Sequence, residues 1–286
     1  MPARRKNARI LKTLSPYDRI LGHVMPRRSD AQVFFTDDID CTSLDNYIEK
    51  KKAEGIEITY LDVFSAATVR MYALRPALNR FTMNGRVYAN DKIYMSMAVK
   101  KTLREDAGST TIKIPFTGHE NIFDVKQAFY DEIHNNKELN TTNDTDKTAK
   151  MLTGVPNWVL KLAMSLIRWG DKHNILPASI IKASPFHGSV FITYLKSLGI
   201  PGIYHHIYDL GTIGQFIAVG KERHIPVVDE ETGEVRPGKV VTLMVVADER
   251  ICDGLYYARS MRLYRKLLEN PTRLETRLDK VEEDIE

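Results

Sequence analysis

Two periodicities of apolar residues alternate along this chain, and their order predicts an α/β protein. The run AQVFFTDDID sets Val33, Phe34 and Phe35 in a strand, and the Thr/Ser pair after it can cap a helix over about 43–53. That helix keeps Leu44, Tyr47 and Ile48 on one stripe, turns Glu49, Lys50, Lys51 and Lys52 to water, and ends at Gly55. A second helix over about 61–74 is apolar nearly all round, which predicts burial, and stops before Pro76. RVYANDKI, YMSMAVKKT and TTIKIPFTG read as three strands, and the spacing of Ile122, Val125, Phe129 and Ile133 as a helix over about 120–134. The polar stretch NNKELNTTNDTDKT then reads as a loop within one domain.

VPNWVLKLAMSLIRWGDKHN is a strongly apolar helix from Trp158 to Trp169, suited to core packing or a subunit contact. GSVFITYL, GQFIAVGK and KVVTLMVVAD follow as strands, the last of them apolar enough to be buried on both faces of a sheet. Between the last two, RHIPVVDEETGEVRPG, with Glu230 and Glu231, reads as a polar hairpin excursion. A helix over about 255–269 ends at Asn270-Pro271, and Leu274, Leu278, Val281 and Ile285 keep a helical spacing that predicts a short helix docking on a neighbour.

Composition narrows the class. With 286 residues, 43% hydrophobic and 27% charged, wholesale disorder and fibrous repeats are poor fits, and a folded, soluble chain is expected. No window of about eighteen uncharged apolar residues exists, so no membrane partner is expected. Cys41 and Cys252 form no CxxC pair and no zinc-type cluster, which points to no metal and to a reducing, cytoplasmic setting. The formal charge of +4 resolves into +5 over residues 1–12, −4 over residues 275–286 and +3 over the residues between, a nearly neutral core with two oppositely charged tails, so no nucleic-acid partner is expected. There is no GxGxxG opening a helix and no P-loop, against a dinucleotide or nucleoside triphosphate cofactor. The expected organisation is a basic tail over 1–12, one catalytic domain over 13–271, and an acidic tail or short helix over 272–286.

The densest chemistry lies in ADERICDG, 247–254, at the end of the buried strand and just before a helix, where side chains are held rigidly at a sheet edge. This D-x-R-x-x-D-G pattern resembles the active-site signature of the acyltransferase (dihydrolipoamide acyltransferase) catalytic domain of 2-oxo acid dehydrogenase complexes and of its relative chloramphenicol acetyltransferase. GSVFITYLKSLG is similar to the family's strand bearing the oxyanion-binding hydroxyl, and RILGHVMPRRSDAQVFFTDDIDCTSLDNYIEKKKAEG to its opening helix, first strand and second helix. The resemblance implies a chloramphenicol acetyltransferase-like mixed sheet covered by helices, a homotrimer or a multiple of trimers, and an active site between subunits that uses coenzyme A as co-substrate. By position it implies that Thr193 serves the oxyanion, that Asp253 orders the loop through an ion pair with Arg19, and that Gly254 permits the tight strand-to-helix turn.

One position departs from the family. Where the family has a histidine that takes the proton of a coenzyme A or dihydrolipoyl thiol, this chain has Glu249. A histidine near pH 6.5 suits that task, whereas an ordinary carboxylate near 4.3 is a weak base for a thiol near 8.5. GIYHHIYDLGT is similar to a segment of stand-alone superfamily members whose signature also reads DER, so His205 or His206 is a second candidate for the titrating group. Read on its own, the pair is equally a buried, hydrogen-bonded couple. The functional expectation is transfer of an acyl group between acyl-coenzyme A and an acceptor. Two alternatives stand beside it: a catalytically silent trimeric scaffold, and a protein that binds coenzyme A or a thioester without turnover.

Overall fold

The apolar run that reads as doubly buried becomes the inner part of a six-stranded sheet. The computed structural model describes residues 5–100, 109–137, 154–229 and 232–286. The sheet takes, in spatial order, β2 (Gln32–Asp40), β9 (Val235–Asp248), β8 (Gln215–Val228), β7 (Val190–Tyr194), β5 (Ile93–Lys100) and β6 (Ser109–Phe116). β7 runs parallel to both β5 and β8, and the other pairings are antiparallel, so the sheet is mixed as expected. A small second sheet joins β1 (Ala8–Ile10), β4 (Arg86–Asn90) and β3 (Arg80–Met83).

Helices α2 (Thr42–Ala53), α3 (Tyr60–Leu74), α4 (Ile122–Lys137) and α7 (Gly254–Glu269) cover one face of the large sheet. α3 is the central one: Val63, Phe64, Ala67, Val69 and Met71 are all fully buried, which is why its apolar residues keep no single stripe. Its first turn is fixed by a reciprocal cap in which Thr59 Oγ1 accepts from Asp62 N while the Asp62 carboxylate accepts from Thr59 N. Strand alternation then divides the sheet's side chains between two cores. Val190 and Ile192 join the helix-covered core, and Phe191 points to the opposite face, where it meets Phe216 and Val246. That face is covered by residues 200–214, which form neither helix nor strand and contribute Ile207 and Ile213.

Several expectations change. The basic tail is not free: β1 falls within it, and Arg5 is buried against Phe81 and paired with Asp171 at 2.8 Å. The guanidinium's charge is answered by that carboxylate, so a run of bases that reads as solvated contributes to packing. Beyond Pro271–Leu274 the C-terminal residues make no helix. They run as a strap in which Leu274 is buried and Leu278 and Val281 pack on the protein's own core, so the apolar positions dock within the chain. Glu282 N donates to Ala73 O and Lys12 N to Glu286 O, and Arg80 clasps Asp284. The polar excursion between β8 and β9 is mostly strand, since the two pair as far as Val228↔Val235; Glu230 and Glu231 lie outside the described residues, as does most of the polar stretch predicted as a loop.

Helix α5 (Asn157–Lys172) has only Gly170 and Asp171 buried, so it is not a core helix. Its C-terminal end is pinned by Asp171, which pairs with Arg5 and with His187 at 3.1 Å, while His187 Nδ1 lies 2.8 Å from Ser184 Oγ just after α6 (Ala178–Ala183).

Candidate active site

The signature is built from the sheet upward. β9 pairs with β2 through Gln32↔Asp248 and with β8 through Gln215↔Ala247, so Asp248 leaves the sheet held on both sides. It is 1% exposed and carries two guanidiniums. Arg250 Nε and Nη2 reach its two oxygens at 2.8 and 2.7 Å, and Arg28 Nε lies at 3.4 Å. The donors left over go to carbonyls: Arg250 to Met25, and Arg28 to Tyr208 and Gly211 at 2.7 and 3.0 Å. Burial draws the Arg28 guanidinium below its ordinary value, opposed by the Asp248 charge. One carboxylate thus ties the signature to the chain after α1 (Pro16–Val24) and to the irregular segment bearing the histidine pair.

An N-terminal arginine does anchor the signature, but it is Arg28 on Asp248, not Arg19 on Asp253. Arg19 is exposed and donates to Lys12 O, and the residues of α1 that line the signature pocket are Tyr17, Asp18 and Leu21, not Arg19. Asp253 instead caps α7, accepting from Tyr256 N at 2.8 Å. The sequence signal for Arg28 was position alone, because nothing in a pair of arginines says which one turns inward.

Glu249 follows Asp248 in the turn. Its N–H donates to Ala31 O at 2.9 Å, and its side chain is exposed and accepts no hydrogen bond among the described residues. It lines a pocket of about 330 Å³ with Tyr17, Asp18, Leu21, Met25, Asp253 and Gly254. A Cβ at Gly254 would meet nothing within 4 Å, so the fold of one chain does not demand glycine there, and the space beside Glu249 stays open. Cys252 also borders the pocket, but burial pushes its thiol up to about 12, which leaves it protonated and inert at neutral pH. A larger cavity, about 1070 Å³, lies between β1 and the C-terminal strap and is lined by none of Glu249, Thr193, Asp253, His205 and His206.

Thr193 and the histidines lie elsewhere. Thr193, on β7, shares a cross-sheet row with Ala218 and Met244, and its Oγ1 is buried with no hydrogen-bond partner. His205 and His206 sit on irregular chain rather than on a strand, so strand alternation does not separate them. The His205 ring stacks on Phe216 at 4.4 Å, on the sheet face that carries Thr193, and its Nε2 is likewise buried without a partner. Burial, and then the neighbouring His206, hold His205 below the usual histidine value. His206 is exposed and packs edge-on against Tyr208 at 5.1 Å. Glu249 is five residues beyond the Thr193 row and two strands across, roughly 19 Å at ordinary strand spacings. Glu249, Asp253 and Gly254 therefore share one pocket, Thr193 and His205 share one sheet face, and a single chain does not bring the two groups together.

Residues 214–276, from the start of β8 past the signature, match the 2-oxoacid dehydrogenases acyltransferase (catalytic domain) family. The whole fold agrees with solved acyltransferase cores. The catalytic core of the 2-oxoacid dehydrogenase multienzyme complex from Thermoplasma acidophilum aligns at 15% identity over 92% of this chain and 99% of that chain, with a TM-score of 0.55. Dihydrolipoamide acetyltransferase of Azotobacter vinelandii aligns at 17% identity over 93% and 94%, TM-score 0.52. A chloramphenicol acetyltransferase aligns at 13% identity over 92% and 98%, TM-score 0.50. No curated protein sequence matches the chain. The class that results is a single-domain protein with the chloramphenicol acetyltransferase-like fold, its signature end similar in sequence to the acyltransferase family.

Proposed function

We propose that this protein transfers an acyl group between coenzyme A and an acceptor, at a site completed by two subunits of a homotrimer. The observation that carries the reading is the Thr193 hydroxyl, buried and unpartnered on the strand where the resemblance implies an oxyanion donor. A buried hydroxyl left without a partner costs roughly 1–3 kcal/mol, a cost that a substrate oxygen accepting its hydrogen bond offsets. The open pocket at Glu249 supports the same reading, because the base has room for a thiol beside it. In this scheme Glu249 takes the proton of the acceptor that attacks the thioester carbonyl, and Thr193 of a neighbouring subunit donates to the developing oxyanion. The C–S bond then breaks and the proton returns from Glu249 to the departing coenzyme A thiolate, while Asp248 with its two arginines fixes the turn that presents the base.

Glu249→Gln tests it. Against a panel of acyl-coenzyme A thioesters, thiol release should fall by about a hundredfold or more, the usual share of a positioned base. Unchanged turnover removes Glu249 from the mechanism. A second reading, the catalytically silent scaffold, is favoured by one observation: among the described residues no side chain or backbone group hydrogen-bonds the Glu249 carboxylate. Glu249→His separates the two, since a vestigial site should gain activity and a working glutamate site should lose it.

A further inference from the structure

Helix α5 leaves an apolar stripe uncovered. Trp158, Leu162, Leu166 and Trp169, spaced by four, four and three, are 69, 53, 59 and 54% exposed, and Val155 extends the row before the first turn. Beside the stripe stand Lys161, Arg168 and Lys172, seven and four residues apart and therefore on one flank, all of them exposed. The helix's single acidic residue, Asp171, is turned inward to Arg5 and His187, so no carboxylate of α5 answers those three charges. Sixteen residues make about 24 Å of helix, with one tryptophan in the first turn and the other in the last.

We propose that α5 is a membrane-surface element that docks this protein on an anionic bilayer. The stripe sinks into the boundary between headgroups and acyl chains, the two indoles sit at headgroup level, and the basic flank lies along the lipid phosphates. No helix among the described residues is long and apolar enough to cross a membrane, and a helix lying in the interface plane needs no such length. The sequence expectation of no membrane partner considered spanning segments only. A second copy of the chain is the competing occupant. Pairing of two copies through α5 itself is disfavoured by charge, because the facing helix would bring the same three bases and only its inward-turned Asp171. The inference is independent of acyl transfer, so either can fail alone.

The chain has two tryptophans, and both belong to the stripe, so the indole emission of the intact protein reports on this face alone. With vesicles of equimolar phosphatidylcholine and phosphatidylglycerol, the emission should shift to the blue and the protein should co-sediment. Added salt should weaken the effect, and vesicles of phosphatidylcholine alone should bind far less. Leu162→Gln with Leu166→Gln should lower partitioning by roughly tenfold or more at unchanged melting temperature, since both side chains are exposed. Lys161→Gln with Arg168→Gln and Lys172→Gln should abolish the preference for phosphatidylglycerol. No binding to the anionic vesicles, or binding indifferent to the leucine changes, overturns the proposal. So does emission that is already blue in buffer and reddens as an oligomer dissociates on dilution, a result that assigns the stripe to a second copy.

Discussion

At the scale of single residues, the buried charges are the sharpest features. Asp248 holds Arg28 and Arg250 in a site almost closed to water, so removing its charge strands two guanidiniums. Asp248→Asn should cost about 3–5 kcal/mol of unfolding free energy, the range for breaking a buried pair, and chemical denaturation of the variant checks it. Arg19→Met should be nearly silent in the same assay, because that side chain holds only Lys12 O on the surface. His205 gives a pH dependence whose sign follows from its lowered folded-state value. Below about 6.5 the unfolded chain binds a proton that the fold resists, so this contribution to stability is complete above that pH and is lost as pH falls through it. His205→Phe keeps the stack on Phe216, and the urea midpoint of the variant should therefore fall less between pH 7 and 5 than that of the unaltered protein. Of these residues the sequence named Glu249, Thr193 and His205 but not Arg28, because an ion pair across some 220 positions leaves no periodic trace.

Elements were more legible than their partners. The apolar run of β9 and the two-sided apolarity of α3 state their own burial, and both are buried where periodicity placed them. β1 and β3 have three and four residues, too short for any period to show, and one of them lies inside a basic run that reads as solvated. The final apolar positions were equally visible, but spacing says only that they have an apolar partner and not which one. In the fold that partner is the chain's own core, and the strap is locked by Arg80, whose Nε donates to Asp284 at 2.7 Å in a largely buried pair. Arg80→Met should loosen the strap and cost about 2–3 kcal/mol, a little below a fully buried pair because some water reaches it. Hydrogen exchange should show faster loss of protection at Glu282 N, which donates to Ala73 O, than in α3 itself.

For the whole molecule, the separation of the two groups decides how the site must be assembled. Thr193 is fixed in the sheet and Glu249 in the turn that leaves it, roughly 19 Å apart, and a rigid sheet cannot fold to bring them onto one thioester. If both act on one substrate, they come from different copies. Symmetry makes the consequence quantitative, because in a trimer every site pairs the Glu249 of one subunit with the Thr193 of the next. Glu249→Gln and Thr193→Ala homotrimers should each be nearly inactive. When the two are unfolded together and reassembled in equal amounts, about one interface in four receives an intact Glu249 on one side and an intact Thr193 on the other. About a quarter of the unaltered activity should then return, with a mass of three chains by light scattering. Two inactive variants that stay inactive in verified mixed trimers would overturn the two-subunit site, since an intact Glu249 facing an intact Thr193 across an interface would then restore nothing.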